Sequence, residues 1–145
     1  MYKLFDRQRL DEQYPILCAK ETVILNMVAK DGVNMHPAYS VLKGLYPAMY
    51  ETVLKNCIDN NFEEGNLLLY KKCSPWILTM PIQDTWKGTY NFEYIQKAFL
   101  KISSNYKSLG IKSIAIQEGI IPTDVIEKLR NSMDFPEINY YEHKE

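Results

Sequence analysis

The residues of this chain that could do chemistry unaided are few: His36 and His143, Cys18, Cys57 and Cys73, and the acidic neighbours Asp11/Glu12 and Glu63/Glu64. A metal centre needs several His, Cys or carboxylate ligands converging at short spacing. The two histidines stand far apart with no such cluster beside either, so no metal site is expected. A Ser/His/Asp hydrolase would show a G-x-S-x-G elbow, and none is present. Cys18 and Cys57 lie in apolar contexts without an adjacent base, which predicts buried structural thiols rather than nucleophiles. The side chains of neighbouring acids diverge on helix or strand, so both acidic pairs read as solvent-facing.

Residues 29–39, AKDGVNMHPAY, offer more. They follow the apolar run TVILNMV (Thr22–Val28) and precede a helix-like stretch. A strand, a loop and a helix in that order form the usual phosphate cradle of α/β proteins, where backbone N–H groups approach the anion. Such loops carry several glycines; this one has Gly32 and then Asn34, Met35, His36 and Pro37. On the residues alone it is a phosphate loop, a degraded one, or an ordinary connection. Aromatic side chains near expected strand ends, Tyr39, Trp86 and Tyr90, could stack a nucleobase or fill the core. Met27, Met35, Met49 and Met80 read as gap fillers.

The elements that must position these groups follow from pattern. Tyr2–Phe5 is a possible first strand, and Thr22–Val28 has the composition of a strand buried on both faces. Leu42, Leu45, Met49 and Val53 recur at helical spacing. Pro47 divides them into a helix over about Tyr39–Leu45 and a second with the proline in its first turn. A turn at Glu63–Gly65 leads into Asn66–Lys71, and Trp76–Pro81 is a second apolar strand. Over Tyr90–Leu109, Phe92, Ile95, Phe99, Ile102, Tyr106 and Leu109 make one apolar stripe. Asn91 is placed to cap that helix and Gly110 to end it. Ser113–Ile116 is a further strand, Thr123 is the expected N-cap of a helix to about Met133, and Ile138–Glu142 can add a last strand. Alternating strands and helices imply an α/β sandwich with a mainly parallel or mixed sheet. Ligands of such sheets bind beyond the carboxyl ends of the strands, here the loops after Val28 and after Ile116.

The bulk properties fit one domain over residues 1–145, with 46% hydrophobic and 24% charged residues. A net charge of −1 gives no general drive toward nucleic acid or an anionic membrane. Lys71, Lys72 and Lys87 read as a solvated face. Three well-separated cysteines argue against a disulfide framework and for a reducing compartment. MYKLFDRQRLDEQY carries charges where a signal peptide has an apolar region, and no apolar run approaches the ~20 residues of a membrane span. A cytoplasmic protein without a membrane anchor is expected.

Taken together, the order of elements and three stretches resemble a macro domain, in the branch of ADP-ribosyl-hydrolase antitoxins acting on DNA and ADP-ribose-1″-phosphate processing proteins. That branch follows its second strand with V-N-x-V-N-x-x-G-V-M-G-x-G-I-A and a helix. Leu25–Cys57 of this chain lines up with that motif and helix without a gap. The stretches EEGNLLLYK (Glu63–Lys71), WILTMPIQDTWKG (Trp76–Gly88) and LGIKSIAIQ (Leu109–Gln117) match x-x-G-x-L-x-x-Y, the strand with P-T-K-x-x-W, and G-I-K-S-I-A-I-P. The resemblance spans roughly residues 20–120 and implies a three-layer α/β/α sandwich with a mixed central sheet.

It also implies a site. Asp6 matches the aspartate that reads the adenine amino group. Asn26, Gly32, Val33, Asn34 and His36 would form one wall and Gly119 another, with Trp86 or Tyr39 stacking and His36 meeting a phosphate. The departures are as informative. The second asparagine of the motif, implicated in holding the distal ribose and in hydrolysis, is Ala29. Two glycines that bring N–H groups to the pyrophosphate are Met35 and Pro37, and proline has no N–H. The lysine of P-T-K is Asp84, and the second glycine-rich loop is cut to QEGIIPT (Gln117–Thr123). The resemblance therefore implies a non-catalytic module that needs no cofactor and binds an ADP-ribose-like molecule or an ADP-ribosylated macromolecule. Two alternatives stand beside it. One is a residual ADP-ribosyl hydrolase or phosphatase using Asp31, His36 or Asp84. The other is a closed scaffold that binds another protein through a surface such as INYYEHKE.

Overall fold

Along the chain run α1 (Arg7–Gln13), a 3-10 turn (Pro15–Cys18), β1 (Val23–Ala29), α2 (Pro37–Leu45), α3 (Pro47–Ile58) and β2 (Leu68–Tyr70). Then come β3 (Trp76–Gln83), α4 (Phe92–Leu109), β4 (Ser113–Gln117), α5 (Thr123–Asn131) and β5 (Glu137–Tyr141). The structure is a computed structural model describing residues 7–33, 36–58, 66–85 and 87–142. Asp6, Asn34, Met35, Trp86, His143, the expected strand Tyr2–Phe5 and the Glu63–Gly65 turn lie outside the described residues.

All seven residues of β1 are buried, as an apolar run with water excluded from both faces requires. The strand order is β2-β3-β1-β4-β5, parallel throughout except for the antiparallel pair β2–β3. Period-two alternation sends Ile24, Asn26, Ile77, Thr79, Ala115 and Gln117 to one face, and Leu25, Met27, Leu78, Met80, Ile114 and Ile116 to the other. On the first face Met49, Thr52 and Val53 of α3 share a small cavity with Thr79, and α2 packs against α3. On the second, α4 lies against β3, and Tyr140 of β5 donates its hydroxyl to Glu127 of α5. The result is the expected three-layer α/β/α sandwich with a mixed sheet.

Local chemistry sets the element ends. Asn91 Oδ1 accepts the N–H groups of Glu93 (2.9 Å) and Tyr94 (3.4 Å), and Gly110 closes α4 at φ +80°. The stripe of α4 is carried by Ile95, Ala98, Phe99 and Ile102, all buried, and Phe99 stacks on Phe135 at 4.8 Å. Phe92 departs from expectation: as the first residue of the helix it projects outward and is 47% exposed. Three boundaries also move. β3 continues past Pro81 to Gln83, because the missing proline N–H falls where a bulge shifts the register between Val28 and Ala29. α2 starts at Pro37 rather than Tyr39, the proline taking the first helical turn. The N-cap of α5 is Pro122, not Thr123: the Pro122 carbonyl receives Val125 N–H (3.1 Å) and Ile126 N–H (3.3 Å), and no side chain caps the helix.

The three cysteines are free, and Cys18 is exposed rather than buried, since Ile16 and Leu17 of the same turn take the core positions. Partial burial pushes the Cys18, Cys57 and Cys73 thiols up, and Asp11 pushes Cys18 further, so none is an activated thiolate. Among the described residues, no helix is long and apolar enough to cross a membrane.

Candidate functional site

The carboxyl ends of β1, β3 and β4 meet at one edge of the sandwich, the position where parallel sheets hold ligands. After β1 the chain turns at once: Gly32 N–H donates to Ala29 O (2.9 Å), and Ala29 N–H to Val33 O (3.0 Å). Gly32 is buried at φ +86°, and a Cβ there would meet Leu54 Cδ2 at 3.2 Å, so this glycine serves the turn and the packing of α3.

Several of the described loop donors are taken up internally. Lys30 N–H reaches Gln83 O (2.8 Å), Val33 N–H reaches Asp31 Oδ1 (3.1 Å), and Ala38 N–H reaches His36 Nδ1 (3.0 Å). Tyr39 N–H reaches His36 O at 3.0 Å, and Pro37 has no N–H at all. A phosphate arriving here would have to displace bonds already made. His36 acts as the N-cap of α2, half-buried with its ring edge-on to Tyr14 and Tyr39. Its Nδ1 is an acceptor, which requires the proton of the neutral ring on Nε2.

Asp84, the second candidate for chemistry, follows β3. Its carboxylate accepts the Tyr94 hydroxyl and lies 3.8 Å from Lys30 Nζ, while Lys30 also rests over the Tyr94 ring. Gln83 holds this turn by donating from Nε2 to Thr85 O and Gly88 O, both at 2.8 Å. Asp31 is exposed on the neighbouring loop.

After β4, residues 118–123 line a cavity of about 360 Å³. Gly119 sits there at φ +99° with open space on its Cβ side. The Glu118 carboxyl is pushed up by partial desolvation and then by a hydrogen bond and like charge from Glu142. This mouth is acidic, the opposite of an anion cradle.

Between the loops the sheet itself opens. β1 and β4 pair only through Val23 with Ile114 and Ile24 with Ala115, and beyond that the ladder stops. Asn26 and Gln117 each stand two residues past the last pair, on the same face. Asn26 donates from Nδ2 to Thr79 Oγ1 (3.0 Å), but its Oδ1, Gln117 Oε1 and the Tyr39 hydroxyl are buried without a formed hydrogen bond. Tyr39 is fully enclosed, so of the two roles the sequence left open it takes the core one and cannot stack on a ligand from where it stands.

The structure thus brings Asp31, Gly32, Val33 and His36 together at the end of β1, with Gly119 on the loop after β4. Asn26 lies deeper, at mid-strand, and is almost fully buried. Asp6, Asn34 and Trp86 lie outside the described residues. Tyr39 as an occupant of the opening and Gln117 as its lining were missed. For Tyr39 the motif held the signal: a gapless match of Val-Asn-x-Val-Asn to Leu25–Ala29 places Tyr39 in register with the final alanine.

No protein-family model matches the sequence, and no curated protein does. Solved structures do. The macrodomain of Thermus aquaticus DarG superposes with a TM-score of 0.71 at 18% identity, over 90% of this chain and 93% of that chain. The macrodomain of Mycobacterium tuberculosis DarG gives 0.74 at 17% identity, over 90% and 93%. Thermosipho africanus DarTG in complex with ADP-ribose gives 0.73 at 21% identity, over 86% of this chain and 39% of that chain. This is a macrodomain fold. Within that macrodomain frame the loop after β1 has a turn closed by internal hydrogen bonds and a positive-φ Gly32, and the buried Tyr39 hydroxyl faces Gln117 N–H beyond the end of the β1–β4 ladder.

Proposed function

We propose that this macrodomain is a non-catalytic module that binds ADP-ribose or a related nucleotide, either sequestering it or reading ADP-ribosylated targets. The observation that carries the reading is the opening of the sheet between β1 and β4, at the carboxyl ends of parallel strands, in a fold whose Thermosipho neighbour is a complex with ADP-ribose. The end of the β1–β4 ladder lies where such a sheet would hold a nucleotide, beside a loop whose described N–H groups are largely bonded within the protein. Three free thiols suit a reducing cytoplasm.

Loss of catalysis follows from Ala29 and from the internally bonded loop. Each hydrogen bond to a charged ligand contributes about 1.5–3 kcal/mol, so several missing ones weaken binding by roughly two to four orders of magnitude. Without the side chain that would orient ribose and water, turnover suffers further. Ala29 is fully buried, so Ala29→Asn would press an amide into enclosed space rather than offer it to a ligand.

Calorimetry with ADP-ribose tests the binding, and saturable heat is the expected result. No heat with ADP-ribose, NAD or cyclic variants would remove the nucleotide reading and leave a protein-binding scaffold. Release of ADP-ribose from modified DNA or protein would overturn the non-catalytic part. Ala29→Asn alone is expected to give no turnover in that assay.

A further inference from the structure

Successive N–H groups of a strand point to opposite sides. Glu118 N–H donates to Tyr141 O on β5 (2.8 Å), so Gln117 N–H points the other way, toward β1. The ladder to β1 has already ended at Ala115, and the group that faces this N–H is the Tyr39 hydroxyl, in a contact short of full hydrogen-bond geometry. Asn26 Oδ1 and Gln117 Oε1 on the same face are likewise without a donor, each on a residue at most 3% exposed.

A buried polar atom left unmade costs about 1–3 kcal/mol, and folded interiors leave few of them. Here three occur around one opening, together with one N–H. That set of acceptors plus a donor suits neither a hydrocarbon nor a bare anion. It suits a group that both donates and accepts, as the hydroxyls of a sugar do.

We propose that Tyr39 is a plug. It closes the opening between β1 and β4 in the free protein, and it leaves when the polyhydroxyl part of a nucleotide enters to meet Gln117 N–H, Gln117 Oε1 and Asn26 Oδ1. The identity of that nucleotide rests on the ADP-ribose reading; the plug rests on the geometry of the opening. The route out is short. Tyr39 lies in the first turn of α2, where the His36 cap and the bonds from Tyr39 N–H and Ser40 N–H to His36 O hold the described chain entry.

The test compares wild type with Tyr39→Ala and Tyr39→Phe, reading ADP-ribose and D-ribose titrations beside the Gln117 amide resonance. In Tyr39→Ala, ADP-ribose affinity is expected to rise at least tenfold. In wild type, bound ADP-ribose is expected to move the Tyr39 ring from a buried to a solvent-exposed environment. In Tyr39→Phe, which keeps the ring and the fold, the Gln117 amide proton is expected to shift upfield while Ile116 stays in place. Equal ADP-ribose affinity in wild type and Tyr39→Ala, or an unmoved Gln117 amide in Tyr39→Phe, overturns the plug. If no protein binds ADP-ribose, the ADP-ribose reading fails, and D-ribose decides the plug separately. Ribose binding to Tyr39→Ala but not to wild type upholds it, and ribose binding to neither overturns it.

Discussion

β1 has two unlike flanks. Toward β3 it is paired along its whole length, from Val23 opposite Trp76 to Ala29 opposite Gln83. Toward β4 the pairing stops at Ile24. Polar side chains divide the same way: the amide nitrogen of Asn26 is satisfied by Thr79 on the closed flank, and its carbonyl oxygen is left unmatched beside the open one. One strand thus serves as structural centre and as the wall of a site. The difference teaches that the sheet is held by its β3 side, while the unmade bonds are gathered on the side where a ligand can use them.

If that division is right, the closed flank is where truncation does most damage. Leu78 is nearly fully buried and stands opposite Leu25. Leu78→Ala is expected to lower stability by about 2–5 kcal/mol in urea unfolding, the range for a truncated core leucine. A loss below about 1 kcal/mol, far under that range, would mean the β3 flank does not carry the sheet. The polar pair gives a finer contrast. Thr79→Val strands the Asn26 amide nitrogen in the interior and is expected to cost about 1–3 kcal/mol. Gln117→Met removes an oxygen that has no donor and is expected to change stability by less than about 1 kcal/mol in either direction. Equal losses in the two variants would erase the distinction between the flanks.

Some of this was legible in the residues and some was not, for physical reasons. The core of β1 and β3 announced itself through uninterrupted apolar runs, and α4 through its stripe, the Asn91 cap and Gly110. These signals are local, so tertiary context did not alter them. The loop after β1 was legible as one that had lost glycines, though not as one in which the N–H groups of Lys30, Gly32, Val33 and Ala38 are bonded to Gln83, Ala29, Asp31 and His36. The opening between β1 and β4 is a matter of register, which no single strand records. For Tyr39 the sequence left stacking and core both open, because an aromatic near a strand end can face either way. Which way it turns depends on whether a gap lies beneath it. Cys18 erred in the other direction: its neighbours Ile16 and Leu17 are apolar, but a 3-10 turn cannot bury every residue in succession.

The outer flank of β4 supplies a third term, because there the sheet is sealed again. β4 and β5 pair from Ser113 with Glu137 to Gln117 with Tyr141, and the Tyr141 hydroxyl donates to the Glu21 carboxylate. Asn139 Nδ2 donates to the same carboxylate at 3.2 Å. Burial first, and then the hydrogen bond and charge of Glu21, push the Tyr141 phenol up to about 12. Its unfolded value is about 10, so the folded chain holds this proton more tightly. The resulting stability is complete below about pH 10 and is lost as pH rises through the folded value of about 12. Tyr141→Phe removes both the bond and the titration. The variant is expected to be less stable by about 1 kcal/mol at neutral pH. Its stability should also fall less steeply than that of wild type from about pH 10 to 12, as followed by urea midpoints. Gln117 N–H makes the same comparison from inside β4: it faces a tyrosine whose phenol burial also pushes up, but with no carboxylate to hold the hydroxyl. A tyrosine anchored by Glu21 seals an edge, and one left short of a hydrogen bond can leave an opening. Equal alkaline slopes in wild type and Tyr141→Phe would show that the Glu21 contact seals nothing, and would remove the outer half of that contrast.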